Sequence, residues 1–154
     1  MTTVLDVAAY RALKNHDAGA SSWFQLDQQR INAFADATLD HQFIHIDSER
    51  TREQTPFEGT IAHGFLTLSM LPYLCLQVAV MPQGAAASLN YGFDKIRFIE
   101  PVRVGDFIRI RLTVADVTEK TPGQLLARYD VTVEIRDREK PALVAQWLGL
   151  TVLT

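Results

Sequence analysis

The chain has 154 residues, 47% of them hydrophobic and 21% charged, with a formal net charge of -3. That is one domain's worth of sequence, enough to bury a real core. The mild acidity, with no basic run and no aromatic-plus-arginine cluster, argues against a nucleic-acid partner.

The opening residues Met1-Thr2-Thr3-Val4-Leu5-Asp6 carry an acid where a secretion signal carries bases. Residues 4–14 read as a short helix, residues 18–22 as a linker, and residues 1–20 together as an N-terminal helical extension. Residues 23–26 have the pattern of a short strand. Asp27 then stands as a helix N-cap, and Ile31, Phe34 and Ala35 supply i, i+3, i+4 spacing for an amphipathic helix behind it. Residues 39–46 lack periodicity and read as a loop, followed by a short polar helix from Ser48 and a turn at residues 55–59. From His63 to about Val80 the chain is nearly all apolar, as expected for one long helix wrapped by a sheet. Pro72 and Gln77 interrupt this stretch and make it a poor membrane span, so a cytoplasmic protein with no membrane partner is expected. Cys75 is the only cysteine; it lies in an apolar run and reads as a buried structural thiol, in keeping with a reducing compartment.

After residues 82–84 the pattern changes. Residues 89–98, 106–118, 125–136 and 143–152 are strand-like, and two of these stretches alternate polar with apolar residues as strands with one buried face do. Gly105-Asp106, Pro122-Gly123 and residues 137–141 provide the turns. Helices, a long apolar helix and then consecutive antiparallel strands make an α+β chain forming a single domain.

Two short blocks carry the chemistry. Asp40-His41-Gln42-Phe43-Ile44-His45 holds a carboxylate and an imidazole close together, and Ile61-Ala62-His63-Gly64 brings a helix start. A carboxylate and an imidazole sharing one water can move protons in either direction near neutral pH. A plainer reading makes Asp40 a helix cap and His45 the filling of a polar pocket. Gly64 permits either close ligand approach or tight helix–sheet packing. His41 and His16 read as solvent-facing, and no three ligands are spaced for a metal.

The first block resembles the signature of the MaoC-like (R)-specific enoyl-CoA hydratases: an Asp, a variable residue, an Asn-Pro pair, a variable residue and a His. Asp40 and His45 are in register, and Gln42-Phe43 stands where the family has Asn-Pro. Ile61-Ala62-His63-Gly64 resembles the start of the family's central helix, and residues 90–106 its next strand and turn. Phe34-Ala35-Asp36-Ala37-Thr38, Gln42 and Ile61 to Ser69 are similar to the subgroup containing nodulation protein N.

The resemblance implies a hotdog fold, an antiparallel sheet around a long central helix, with two subunits joined at their sheet edges as a homodimer. It implies hydration of a trans-2-enoyl-CoA to an (R)-3-hydroxyacyl-CoA, with Asp40 and His45 as the acid/base pair and no cofactor or metal. The Gly64 amide would serve the oxyanion. Gln42, His63, Tyr91, Lys95 and Arg97 are the further substrate-binding candidates, with solvated strand charges or core packing as the plainer account of the last three. Pro72 replaces a helix Ser of several hydratases. Two other functions stay open. A hotdog thioesterase would place an acid on the central helix or a facing strand, and residues 63–81 contain none. A non-catalytic acyl-CoA binder or partner subunit would have no need of both Asp40 and His45.

Overall fold

The computed structural model describes residues 2–154. Its elements in chain order are β1 (Thr3–Leu5), α1 (Val7–Arg11), β2 (Lys14–Ala20), β3 (Phe24–Gln25), α2 (Gln28–Thr38), α3 (Phe43–Ile46), α4 (Ser48–Gln54), α5 (Gly64–Ser69), α6 (Leu71–Cys75), β4 (Val80–Pro82), β5 (Ala85–Phe98), β6 (Phe107–Thr121), β7 (Gln124–Ile135) and β8 (Leu143–Leu153). The main sheet runs β2-β6-β7-β8-β5, with β3 also on β6, and every pairing in it is antiparallel. The expected α+β hotdog architecture is present: this sheet curls around α5 and α6.

The alternation read along β6 and β7 is the physical basis of that curl. Ile108, Ile110, Leu112 and Val114 point inward from β6, and Val131, Val133 and Ile135 do so from β7. All but Val114 meet Leu66, Met70, Leu71 and Leu74 from the helical segment in one core, while Val114 packs with Tyr10 and Leu125 in a second cluster. Each fully buried side chain of this size contributes about 1.5–3 kcal/mol of apolar transfer.

Three expectations need correction. The expected helical extension over residues 1–20 is not seen among the described residues 2–20: only Val7–Arg11 are helical there, and β2 is a strand of the main sheet, so residues 18–20 are not a linker. The central helix is shorter than expected and is interrupted at Met70. Pro72, two residues on, lacks the amide an unbroken helix would use there. Residues 39–46 are not all loop, because α3 forms one helical turn.

The segment before α5 is clamped from both sides. The Ile61 amide donates to the Ile44 carbonyl at 3.0 Å, and the Ala62 amide donates to the Val102 carbonyl at 2.7 Å. On the far side, Gly105 turns the chain with φ +86°, a conformation that favours glycine. Its amide donates to the Leu26 carbonyl at 2.7 Å. These contacts set where the helix begins relative to α3.

Candidate active site

Asp27 caps α2, its Oδ1 accepting from the Arg30 amide at 2.8 Å. The helix buries Ile31 and Ala35 and ends at Leu39, whose φ of +61° is left-handed. A non-glycine residue in that conformation is strained. The strain releases the chain abruptly into Asp40, which is exposed.

His45 is the one buried residue of α3. Its Nδ1 lies 2.8 Å from the Ile61 carbonyl, which can only accept, so Nδ1 carries the proton and Nε2 presents a lone pair. Its pKa is lowered from the ordinary 6.5, chiefly by burial. Neighbouring His63 adds to that lowering, while the Ile61 carbonyl and the Asp40 carboxylate oppose it.

The loop that sequence alone leaves slack is held by side chains no motif marks. Gln28 Nε2 donates to the His45 carbonyl at 2.7 Å, and its Oε1 accepts from Thr60. Thr51, fully buried, donates to the Asp47 carbonyl at 2.6 Å and lies 3.2 Å from that of Phe43. Gln42 stands exposed at the N-cap of α3 without a side-chain capping bond. The rigidity an Asn-Pro pair would give therefore comes here from Gln28 and Thr51, which reach in from neighbouring helices.

His63 is buried, and its ring stacks on that of His45 with centroids 3.7 Å apart and planes 23° apart. Asp40, His45 and His63 each offer a ligand atom, all within 4.8 Å of one another. Spacing along the chain hides this trio. The two rings lie in nearly parallel planes, so in-plane lone pairs from both do not converge on one point as the ligands of a tetrahedral ion must.

His45, Gly64 and Thr67 line one cavity of about 360 Å³, together with Phe98, Glu100 and Val102. Gly64 is the first residue of α5, where helix geometry leaves amides without an intrahelical acceptor. A Cβ at Gly64 would sit 3.1 Å from two atoms of the Phe98 ring, so close packing is also at work there. Glu100, an acid that the sequence reading passed over, faces this cavity and lies 3.8 Å from Lys140.

The other candidates lie elsewhere. Tyr91 is exposed and accepts from Lys120 at 2.5 Å. Lys95 lines a separate groove on the sheet with Arg111, Asp130 and Gln146. Arg97 is exposed one position before Phe98. His16 is exposed as expected; His41 is exposed too, and its Nε2 lies 2.8 Å from Asp36 Oδ1.

A second cavity, of about 260 Å³, opens where α6 meets the sheet. Cys75, Leu76, Leu89, Tyr129, Trp147 and Gly149 are among its lining residues. Burial pushes the Cys75 thiol up to about 11, as suits a structural cysteine. No helix among the described residues is long and apolar enough to cross a membrane.

Comparison with known proteins agrees with this fold. The MaoC like domain model matches residues 12–135. Nodulation protein N of Rhizobium meliloti (strain 1021) is 43% identical over 139 residues, covering 90% of this chain and 86% of that protein. The 3-hydroxyacyl-thioester dehydratase Z of Mycobacterium tuberculosis (strain ATCC 25618 / H37Rv) is 41% identical over 146 residues, covering 95% of each. Among solved structures, the MaoC-like dehydratase from Rhodospirillum rubrum superposes with a TM-score of 0.75 at 18% identity, covering 97% of this chain and 98% of that one. The (R)-hydratase from A. caviae does so with 0.71 at 21%, covering 90% and 97%. With strand order, helix placement and sequence all in agreement, the chain belongs to the MaoC-like dehydratase family.

Proposed function

We propose that this protein is an (R)-specific enoyl-CoA hydratase, reversibly adding water to a trans-2-enoyl-CoA. The observation that carries the reading is the grouping of Asp40 and His45 beside the start of α5, where His45 and Gly64 line one cavity. Asp40 and His45 hold the water between them. His45 Nε2, the nitrogen with the free lone pair, accepts a water proton as the oxygen attacks C3. The pair returns one proton to C2, so the net change is a hydroxyl on C3 and a hydrogen on C2. The charge that develops on the thioester oxygen meets the Gly64 amide.

The acyl tail lies in the second cavity. The two cavities are lined from opposite ends of the helical segment. Gly64 borders the first cavity; Pro72 and Leu76 border the second.

The protein works as a homodimer. Phe65 (68% exposed), Tyr73 and Leu76 (65%) project from the helical segment, and Leu89, Tyr91 and Phe98 are exposed on β5, the sheet's edge strand. An apolar edge of this kind is a natural seat for a second copy.

A thioesterase has one observation in its favour, the presence of Glu100 on the lining of the same cavity as His45. One assay separates the two. Loss of enoyl absorbance from crotonyl-CoA without release of free thiol supports hydration. Thiol release gives the site to hydrolysis, and binding without turnover gives it to a non-catalytic role.

A further inference from the structure

We propose that His63 is a positioning residue for the Asp40–His45 pair, fixing the backbone of one and the ring of the other. The proposal rests on the hydratase reading only for its kinetic readout.

Both contacts come from a single side chain. His63 Nε2 lies 3.0 Å from the Asp40 carbonyl, which can only accept, so Nε2 carries the proton and donates. That bond matters because Asp40 has little else to hold it. It follows the strained Leu39, it is exposed, and its carboxylate receives only a long 3.4 Å bond from the Gln42 amide. The second contact is the stack on His45. His45 has one in-plane anchor, Nδ1–H to the Ile61 carbonyl. A single hydrogen bond leaves the ring free to swing about its axis; a parallel ring at 3.7 Å removes that motion.

His63 is itself held firmly. It is 3% exposed, and the Phe34 ring packs against it with centroids 5.0 Å apart. Its carbonyl accepts from the Thr67 amide at 3.2 Å, which ties it to the first turn of α5. Its Nδ1 is buried with no hydrogen-bond partner among the described residues. A proton there would be a buried donor without an acceptor, which is costly. His63 is also not among the residues lining the cavity shared by His45 and Gly64. The ring is placed for contact with the pair, not for contact with substrate.

The test uses His63→Ala and His63→Phe in the full-length protein, with folding checked by circular dichroism. His63→Ala is expected to lower kcat by roughly 10²-fold, the scale of a misplaced reacting group, with KM little changed. His63→Phe keeps a stacked ring and loses the donor to Asp40, so its kcat should lie between that of His63→Ala and that of the parent. The titratable groups near His45 are Asp40 and His63, with Glu100 on the lining of the same cavity. Removing His63 takes away a neighbour that opposes protonation, so the His45 ring should titrate at higher pH by NMR in His63→Ala.

A folded His63→Ala protein with parental kcat overturns the proposal. So does a rise in KM with kcat kept, which would make His63 a substrate contact. Full recovery in His63→Phe overturns it as well, since the bond to Asp40 would then be idle. The NMR titration needs no turnover. If the parent hydrates no enoyl thioester, an unmoved His45 titration in His63→Ala still sinks the proposal, and a moved one supports it.

Discussion

The two ends of the central helical segment are built on opposite principles. At its start, Asp40, His45 and His63 form a polar cluster tied down by directed bonds to Ile61, Gln28 and the Asp40 carbonyl. At its far end, Cys75, Leu76, Tyr129, Trp147 and Gly149 surround a largely apolar space shaped chiefly by packing. Directed bonds fix atoms to fractions of an ångström, which proton transfer demands. Packing fixes a volume, and a volume can only select by size. On the proposed reading, chemistry and chain-length choice can be disturbed separately.

The largest expected effect is at the polar end. Asp40→Asn and His45→Ala should each lower kcat for crotonyl-CoA hydration by about 10²–10⁴-fold while the fold survives, as followed by circular dichroism. Parental activity in either would remove the pair from the reaction. Filling the apolar end should act differently. Cys75→Phe is expected to lower kcat/KM for a long-chain enoyl-CoA by roughly tenfold, the scale set by a crowded apolar pocket, and to spare crotonyl-CoA. An equal loss on both substrates would mean that the tail lies elsewhere.

Support of the polar end can be probed without touching the pair. Gln28→Ala leaves the Thr60 hydroxyl and the His45 carbonyl without their partner. A cost of about 1–3 kcal/mol is expected in urea unfolding, with a drop in kcat that Cys75→Phe should not show on crotonyl-CoA.

The pH response sharpens the contrast further. The His45 pKa is lowered in the folded protein, so the neutral base persists below pH 6.5, and the acid limb of kcat/KM should lie below that value. The same sign governs stability. The unfolded chain binds the proton first, so the His45 contribution is lost as pH falls through 6.5 and levels off below the folded pKa. Chain-length preference should not follow this curve. The smallest effect is at Leu39, where glycine relieves the left-handed strain. Leu39→Gly should raise stability by about 0.5–1 kcal/mol, visible as a shift in the urea midpoint.

Much of this molecule is legible in order along the chain. The alternation of residues 109–114 and 129–135 requires strands with one buried face, and β6 and β7 follow it closely. Asp27 caps the helix it heralds, and the two motif blocks place Asp40, His45 and Gly64 in one cluster of loops and helix start. These are local properties: a period, a cap, a short spacing. The sequence could determine them because each depends on neighbours within a turn or a strand. The break at Met70 was also within reach, since Pro72 announces it.

What only the tertiary structure decided depends on residues far apart in the chain. Residues 18–20 look like linker because Ala18, Gly19 and Ala20 are small, yet β6 supplies the ladder that makes them the end of a strand. Gln28 and Thr51 carry no motif, and only folding brings them against the loop that lacks Asn-Pro. Lys95, Arg97 and Tyr91 are ligand candidates through the resemblance, and only the structure gives their surroundings: Lys95 lines a groove on the sheet, Tyr91 accepts from Lys120 and Arg97 is exposed. The pairing of His63 with both members of the dyad has the same origin. A hydrogen bond spanning residues 40 and 63 and a stack spanning residues 45 and 63 leave no trace in local periodicity, because their cause is the docking of α3 against the start of α5.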